Sequence, residues 1–336
     1  MKAFITAPFS DDSLNFLKNL GVDYVYSPWH KTRKTLNDKE IIEAINGYGA
    51  EIFVTELENV TDEVINKTDL KIIGICRNDP KRNVDVEAAN KKGIPIIFTP
   101  GRNANAVAEL TIALILAVLR KIVYADRLLR SGKIIIDSFE DFSEFYNSLR
   151  GQELLGKTVG IIGLGKIGYR VARKLKAFGV RILVYDPYVS DERIKSVGGV
   201  RVDLDTLLKR SDIITIHVPP TEETFDLIGE KELEKMKKDA ILINTASPVV
   251  VDEDALYEAL KAGKIAGAGL DVFYDEPVDS SNRFLKLDNV VVTPHIGGGT
   301  YETIRLHSWM IVSDIERILR GEKPKFIYNP EVLKHV

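Results

Sequence analysis

The sequence predicts an α/β protein of two domains, each a parallel sheet with helices on its faces, and three observations predict it. Its 336 residues are too many for one ordinary core and suit two domains of about 100–200 residues each. Short β-branched runs alternate with helical stretches twice, once before residue 100 and again from about 158 to 292. Such alternation builds parallel sheets, because a crossover helix must bring the chain back before the next strand. Joints rich in Pro and Gly separate the series, at Thr99-Pro100-Gly101-Arg102 and at Thr293-Pro294-His295-Ile296-Gly297-Gly298-Gly299.

In the first series the pattern predicts strands at Ala3–Ala7, Asp23–Tyr26, Ile52–Val54, Ile72–Ile75 and Ile94–Phe98. Helices are expected between them at Ser13–Leu20, Asp38–Ile45, Thr61–Asn66 and Val84–Lys92. Composition then predicts one sustained helix from Ala104 to about Arg130, followed by a less regular segment, 131–155, with Phe139, Phe142, Phe145 and Tyr146 among acids. The strand Thr158–Ile162, the helix Ile167–Phe178 and the strand Arg181–Tyr185 open the second series. Strands at Ala240–Asn244, Leu270–Phe273 and Val290–Val292 continue it. A last helix, Tyr301 to Leu319, is expected to pack back on the first domain, so that the chain crosses between domains twice and makes a hinged cleft.

Composition excludes several classes. With 45% hydrophobic and 28% charged residues the chain reads as globular rather than disordered. Its formal charge is −3, and the basic clusters Lys31-Thr32-Arg33-Lys34 and Lys237-Lys238 are short and lie near acids, so no nucleic-acid partner is expected. Cys76 is the single cysteine; no intrachain disulfide or thiolate metal cluster can form, and a reducing, cytoplasmic location suits it. Met1–Pro8 reads as a first strand and lacks the apolar core of a signal peptide. The most apolar stretch, Ala104–Leu119, contains Asn105, Glu109 and Thr111 and falls short of the ~20 apolar residues a bilayer demands. The absence of H-E-x-x-H and G-x-S-x-G patterns speaks against zinc and serine hydrolases.

Chemistry enters with Gly163-Leu164-Gly165-Lys166-Ile167-Gly168. G-x-G-x-x-G alone is a weak signal, but here it follows an apolar strand directly and opens an amphipathic helix. Gly163 suits the tight turn, Gly165 the close approach of a pyrophosphate, and Gly168 the packing of helix on strand. The helix N-terminus supplies an anion site. Asp186 follows Gly168 by 18 residues, at the tip of the next strand, where an acid accepts bonds from adenosine ribose hydroxyls and repels a 2′-phosphate. Pro187-Tyr188 offers no arginine to offset that repulsion, so NAD is expected over NADP.

Of five histidines, His295 has a reason to be functional: it follows the strand Val290–Val292 in a Pro-bounded, Gly-flanked joint. Glu276 lies at another strand-to-loop exit. A carboxylate beside an imidazole favours the charged ring and fixes its orientation, which makes a general acid and base.

Together these segments resemble the D-isomer-specific 2-hydroxyacid dehydrogenase family. The resemblance is carried by Gly163–Gly168, His217-Val218-Pro219-Pro220-Thr221-Glu222-Glu223-Thr224, Leu270-Asp271-Val272-Phe273 through Glu276-Pro277, and Thr293-Pro294-His295-Ile296-Gly297-Gly298. Pro100-Gly101 with Asn105-Ala106-Val107-Ala108-Glu109 adds to it, and in order these segments cover nearly the whole chain. The resemblance implies a flavodoxin-like substrate domain, residues 1–102 and 297–336, and an inserted NAD-binding Rossmann domain, residues 103–296. It implies His295 as the acid–base residue with Glu276 as partner, acting on a small 2-hydroxy or 2-oxo acid. Family positions that touch the cofactor fall on Lys166, Ile167, Asp186, Val218, Pro219, Thr224, Thr245, Ala246 and Asp271, with Asp271 facing the nicotinamide amide. A homodimer is also implied, through the helix from Ala104 and the aromatic stretch after it.

One position departs. Where the family reads Asn-Thr-Ala-Arg-Gly, this chain reads Asn244-Thr245-Ala246-Ser247-Pro248, and the substrate-binding arginine becomes Ser247. Serine has no planar charged fork, and Pro248 removes an N–H. The family's Gly-rich carboxylate loop is likewise replaced by Cys76-Arg77-Asn78-Asp79-Pro80-Lys81-Arg82-Asn83. Arg77 with Asn78 is expected to supply the missing cation, unless Arg77 pairs with Asp79 for structure; Arg102 is a further candidate. Two other readings stay open: a dehydrogenase for a polyhydroxy or phosphorylated acid, and an NAD(H)-sensing protein that has lost its chemistry.

Overall fold

Strands covered on both faces need apolar residues at every position rather than at alternate ones, and Ile52–Thr55 and Ile72–Ile75 are buried throughout. The computed structural model describes residues 1–335, with the side chains of Lys334 and His335 and all of Val336 outside the description. It divides into two units, residues 1–102 together with the chain from Thr300, and residues 103–299.

In the first unit β1 (Lys2–Ile5), β2 (Asp23–Tyr26), β3 (Ile52–Thr55), β4 (Ile72–Ile75) and β5 (Ile96–Phe98) form a parallel sheet in the order β2-β1-β3-β4-β5. Phe4, Phe53, Ile73 and Ile96 face a core with Ile41 and Ile45 of helix Asp38–Tyr48. On the opposite face Ile5, Val54 and Ile72 pack with Leu17 and with Ile311, Val312 and Ile315 of the helix Tyr301–Leu319. The C-terminal segment therefore completes a core that the first hundred residues leave open on one face. Beyond the helix, Ile96 N donates to Asn329 Oδ1 at 2.8 Å and Phe98 N to Phe326 O at 3.0 Å.

The second unit holds β6 (Thr158–Ile162), β7 (Arg181–Tyr185), β8 (Gly199–Arg201), β9 (Ile213–Ile216), β10 (Ile241–Asn244), β11 (Gly267–Leu270) and β12 (Val290–Val292). All pairings are parallel, in the order β12-β11-β10-β9-β6-β7-β8. Each sheet thus has a switch point, between β1 and β3 and between β6 and β9, where the order reverses and a crevice opens outside the strand ends.

Some expected elements differ. The helix from Ala104 ends at Leu119 and a second runs Ile122–Arg130, because Lys121 adopts φ 52. Gln152 N donates to Leu119 O at 3.0 Å at this break, closing a carbonyl that a continuous helix would have used itself. Residues Phe139–Ser148, expected to be irregular, form a helix because Ser138 and Asp141 make a reciprocal capping box. β11 stops at Leu270, so Asp271 is the first residue beyond the strand. The predicted helix to Phe178 runs Lys166–Leu175 and closes in a 3-10 turn. Among the described residues no helix is long and apolar enough to cross a membrane.

Helix Leu204–Arg210 lies so close to the sheet that a Cβ on Gly160 would come within 2.4 Å of both Leu207 Cδ2 and Ser211 Oγ. Gly160→Ala is expected to cost about 1–3 kcal/mol by overpacking. A urea melt would show a lower midpoint with an unchanged slope.

Candidate active site

The loop after β6 is shaped by contacts rather than by composition. Gly163 has φ 88, and a Cβ there would meet His217 O and Val218 Cγ1 at 2.8 Å. A Cβ on Gly168 would lie 2.0 Å from Gly163 O, so only glycine lets the helix Lys166–Leu175 start this close to its strand. A Cβ on Gly165 would meet nothing within 4 Å, which leaves open space before the helix N-terminus. Arg193 braces the loop by donating from Nε to Leu164 O at 2.9 Å and from Nη2 to Gly165 O at 3.2 Å.

Asp186 stands at the end of β7. Its Oδ2 accepts from Leu164 N at 2.7 Å, and its Oδ1 accepts from Tyr188 N and Val189 N at 2.9 and 3.2 Å. A carboxylate offers about four acceptor sites, so capacity for a further donor remains. A cavity of about 520 Å³ adjoins it, lined by Tyr185, Asp186, Pro187, Arg201, Val202 and Asp203. Arg201 stands near that acid but is committed: Nε donates to Asp191 Oδ1 at 2.6 Å, and the terminal nitrogens to the carbonyls of Asp186 and Val189. Across the loop ends, Tyr188 donates to Glu223, and Thr224 Oγ1 donates to Pro219 O at 2.6 Å. Open space at Gly165, a helix N-terminus and an acid beside a cavity fit a dinucleotide with free ribose hydroxyls. Lys166 and Ile167 begin that helix, and Val218 and Pro219 follow β9.

His217 lies beneath the glycine loop. Its Nε2 meets Thr215 Oγ1 at 3.0 Å, Nδ1 is buried without a partner, and burial pushes the ring's pKa down to about 3. Such a ring stays neutral and is poorly suited to shuttle protons near pH 7.

Beyond β10, Asn244 closes a turn by donating to Ser247 O at 2.8 Å and accepting from Ala246 N at 3.0 Å. Thr245 Oγ1 meets Thr111 Oγ1 at 2.9 Å. Ser247 is buried and leads into the 3-10 turn Pro248–Val250.

Asp271, 1% exposed, fastens the loop after β12. Its Oδ1 accepts from Thr293 Oγ1 at 2.6 Å and Ile296 N at 2.9 Å, and its Oδ2 from Gly297 N at 2.8 Å. Between these anchors His295 adopts φ 53, an uncommon conformation for a residue with a Cβ. His295 Nδ1 lies 2.7 Å from Glu276 Oε2, while Glu276 Oε1 accepts from Phe273 N at 3.1 Å. Because the carboxylate accepts from Nδ1, Nε2 is left to exchange a proton on a ring whose side chain is 59% exposed.

In the first unit, Arg77 does not pair with Asp79, which caps Lys81 N at 3.1 Å; Arg77 Nε donates to the Glu56 carbonyl. Asn78 Oδ1 accepts from Gly101 N. Arg102 is ion-paired with Glu56, and its Nη1 lies 2.6 Å from His307 Nδ1. His307 Nε2 lies 2.6 Å from Pro8 O. A carbonyl only accepts, so Nε2 carries the proton, Nδ1 accepts from Arg102, and the ring is neutral. Burial and then Arg102 push its pKa down to about 4, against the Pro8 carbonyl and Glu56. No sequence pattern pointed to His307, Glu56, Arg193 or Arg201, because their partners are distant in sequence. Among the described residues no group of three or more His, Cys, Asp or Glu is placed to hold a metal.

The loop, the acid and the parallel sheet define a dinucleotide-binding α/β protein. Residues 112–297 match the D-isomer specific 2-hydroxyacid dehydrogenase, NAD binding domain. The chain is 37% identical to a glyoxylate reductase of Pyrococcus furiosus, over 99% of this chain and 96% of that one. It is 41% identical to a D-3-phosphoglycerate dehydrogenase of Archaeoglobus fulgidus over 96% of its own length, and spans 58% of that protein. A solved D-isomer specific 2-hydroxyacid dehydrogenase from Lactobacillus delbrueckii ssp. bulgaricus, in NAD complexed form, superposes with a TM-score of 0.79 at 28% identity, covering 98% and 99% of the two chains. This chain belongs to the D-isomer specific 2-hydroxyacid dehydrogenase family, and is an NAD-dependent enzyme of that family.

Two outcomes follow from this geometry. Gly168→Ala should abolish measurable NADH binding by fluorescence titration, since its Cβ has no room. For His307 the ordinary pKa of 6.5 falls on folding, so its contribution is fully present above about pH 6.5 and is lost as pH drops towards 4, up to about 3 kcal/mol. Melting temperatures taken between pH 7 and 4.5 should fall less steeply for His307→Gln than for the wild type.

Proposed function

We propose that the chain interconverts a small 2-oxo acid and its 2-hydroxy acid, with His295 as acid and base and Glu276 as its orienting partner. The observation that carries this is the 2.7 Å contact of His295 Nδ1 with Glu276 Oε2, on a loop whose left-handed residue is His295 itself. When bound, the reduced nicotinamide supplies two electrons and a hydrogen to the carbonyl carbon. His295 Nε2–H gives its proton to the carbonyl oxygen as the alcohol forms, and Glu276 holds the ring in place through Nδ1. In the opposite direction neutral Nε2 takes the hydroxyl proton. Gly163, Gly165 and Gly168 shape the pyrophosphate site, with Lys166 and Ile167 at the helix start and Asp186 on the ribose. Val218, Pro219, Thr224, Thr245, Ala246 and Asp271 complete the cofactor contacts. Arg77, Asn78 and Ser247 are the substrate-binding residues of this reading.

A cytoplasmic homodimer is part of this reading. Phe139, 84% exposed, lies tilted against Phe142, and Phe142 stacks on Tyr146, with ring centroids 6.1 and 5.9 Å apart; Ile135 and Ile136 are exposed nearby in sequence. Solvent-facing aromatic rows of this kind favour burial against another surface, and a second copy of the chain is the partner proposed.

The test is NADH oxidation against 2-oxo acids running from glyoxylate and pyruvate to hydroxylated and phosphorylated ones. His295→Ala should lower kcat at least about 100-fold; an unchanged kcat would sink the assignment. For the dimer, light scattering should give twice the chain mass for the wild type and the single mass for Phe139→Asp/Phe142→Asp.

A further inference from the structure

At the switch point of the first sheet, outside β1 and β3, the fold gathers Trp29, Glu56, Arg77, Arg102 and His307. The Arg102 and Glu56 side chains are each 13% exposed and paired. Glu56 Oε2 also accepts from Trp29 Nε1 at 3.1 Å. The main-chain carbonyl of the same residue accepts from Arg77 Nε, and from Asn83 Nδ2 at 3.3 Å. One residue therefore holds two arginines, one by its carboxylate and one by its carbonyl.

The two bonds are unequal. A carboxylate neutralises a cation, and a carbonyl does not. Burial, and then the fields of Arg102 and Arg82, press the Arg77 proton affinity down against the pull of Glu56. Among the described residues no carboxylate stands within ion-pair distance of Arg77, and neither Nη nitrogen meets an acceptor. A half-buried guanidinium oriented through Nε, with its two-pronged edge unused, matches the geometry with which arginine grips a carboxylate.

We propose that the first unit contains a carboxylate-binding site formed by the Nη edge of Arg77, and that Arg102 is a positioning residue that keeps the Glu56 carboxylate from closing it. Arg102 is itself immobilised by neutral His307, which accepts from Nη1 and donates to Pro8 O. Without Arg102 the nearest strong anion for Arg77 is Glu56, whose backbone it already touches, and an internal pair would replace the ligand. The ligand class is a small carboxylate anion. Its identity as the substrate's own carboxylate rests on the proposed oxidoreduction; the site itself needs no cofactor.

Oxalate is the probe. Trp29 and Trp309 are the two tryptophans, so Trp309→Phe protein, without NADH, reports oxalate binding through Trp29, which donates to Glu56. Saturable binding is expected, weakened about tenfold or more by Arg77→Met. Arg102→Met should weaken it comparably, Arg102→Lys should retain most of it, and Glu56→Gln/Arg102→Met should recover it, since Gln still accepts from Trp29 but cannot neutralise Arg77. Wild-type affinity in Arg102→Met, or a double variant no better than the single one, would overturn the proposal; rescue would exclude a merely structural role for Arg102. Oxalate binding without turnover of any 2-oxo acid would defeat the proposed reaction alone. Turnover whose KM ignores Arg77→Met would defeat the assignment of that site to the substrate's carboxylate and leave the reaction standing.

Discussion

A parallel sheet brings the carboxyl ends of all its strands to one edge, and that constraint organises this chain twice. Each loop leaving the edge has main-chain donors with no strand left to pair with, and those donors need acceptors. In the second unit the edge yields the glycine loop, Asp186, the Asn244 turn, Asp271 and the His295 loop. In the first it yields Glu56, Arg77 and Arg102. Chemistry and loop satisfaction therefore compete for the same few side chains.

Buried carboxylates resolve much of that competition. Asp186 and Asp271 take three donors each, and Asp314 takes Lys325 N and Phe326 N. Glu58 bridges the ends of β1 and β3 by accepting from the hydroxyls of Thr6 and Thr55. Each of these residues fastens a loop by taking donors that no strand is left to pair. At Asp271 the consequence is specific: two main-chain donors on one side of His295 and a hydroxyl on the other hold the ring opposite Glu276.

Much of this was legible in the residues because it is local. Strand and helix alternate at short range, Gly163 to Gly168 lie within six positions, and His295 and Glu276 each follow an apolar run. Lys121 was not legible: a lysine carries no signal for a left-handed break, and the bond from Gln152 N to Leu119 O that accompanies it joins residues distant in sequence. The helix Phe139–Ser148 did have a local signal in Ser138 and Asp141, which the surrounding aromatic residues obscured. Arg102 could be seen as a candidate cation but not as a neutralised one, because its partners Glu56 and His307 lie 46 and 205 positions away. The fate of a charge depends on tertiary neighbours, and one-dimensional spacing is silent about them.

The discontinuity of the first unit bears on how the chain is made. β5 pairs its main chain with Phe326, Tyr328 and Asn329, over 200 residues downstream, and one face of its sheet waits for Ile311, Val312 and Ile315. The continuous second unit holds its own contacts and emerges complete from the ribosome first. The opening hundred residues must meanwhile stay uncovered until residues 311–329 are made, so their apolar face is a natural surface for chaperone protection, and a stop codon near residue 300 would strand the first unit's sheet while leaving the second unit whole.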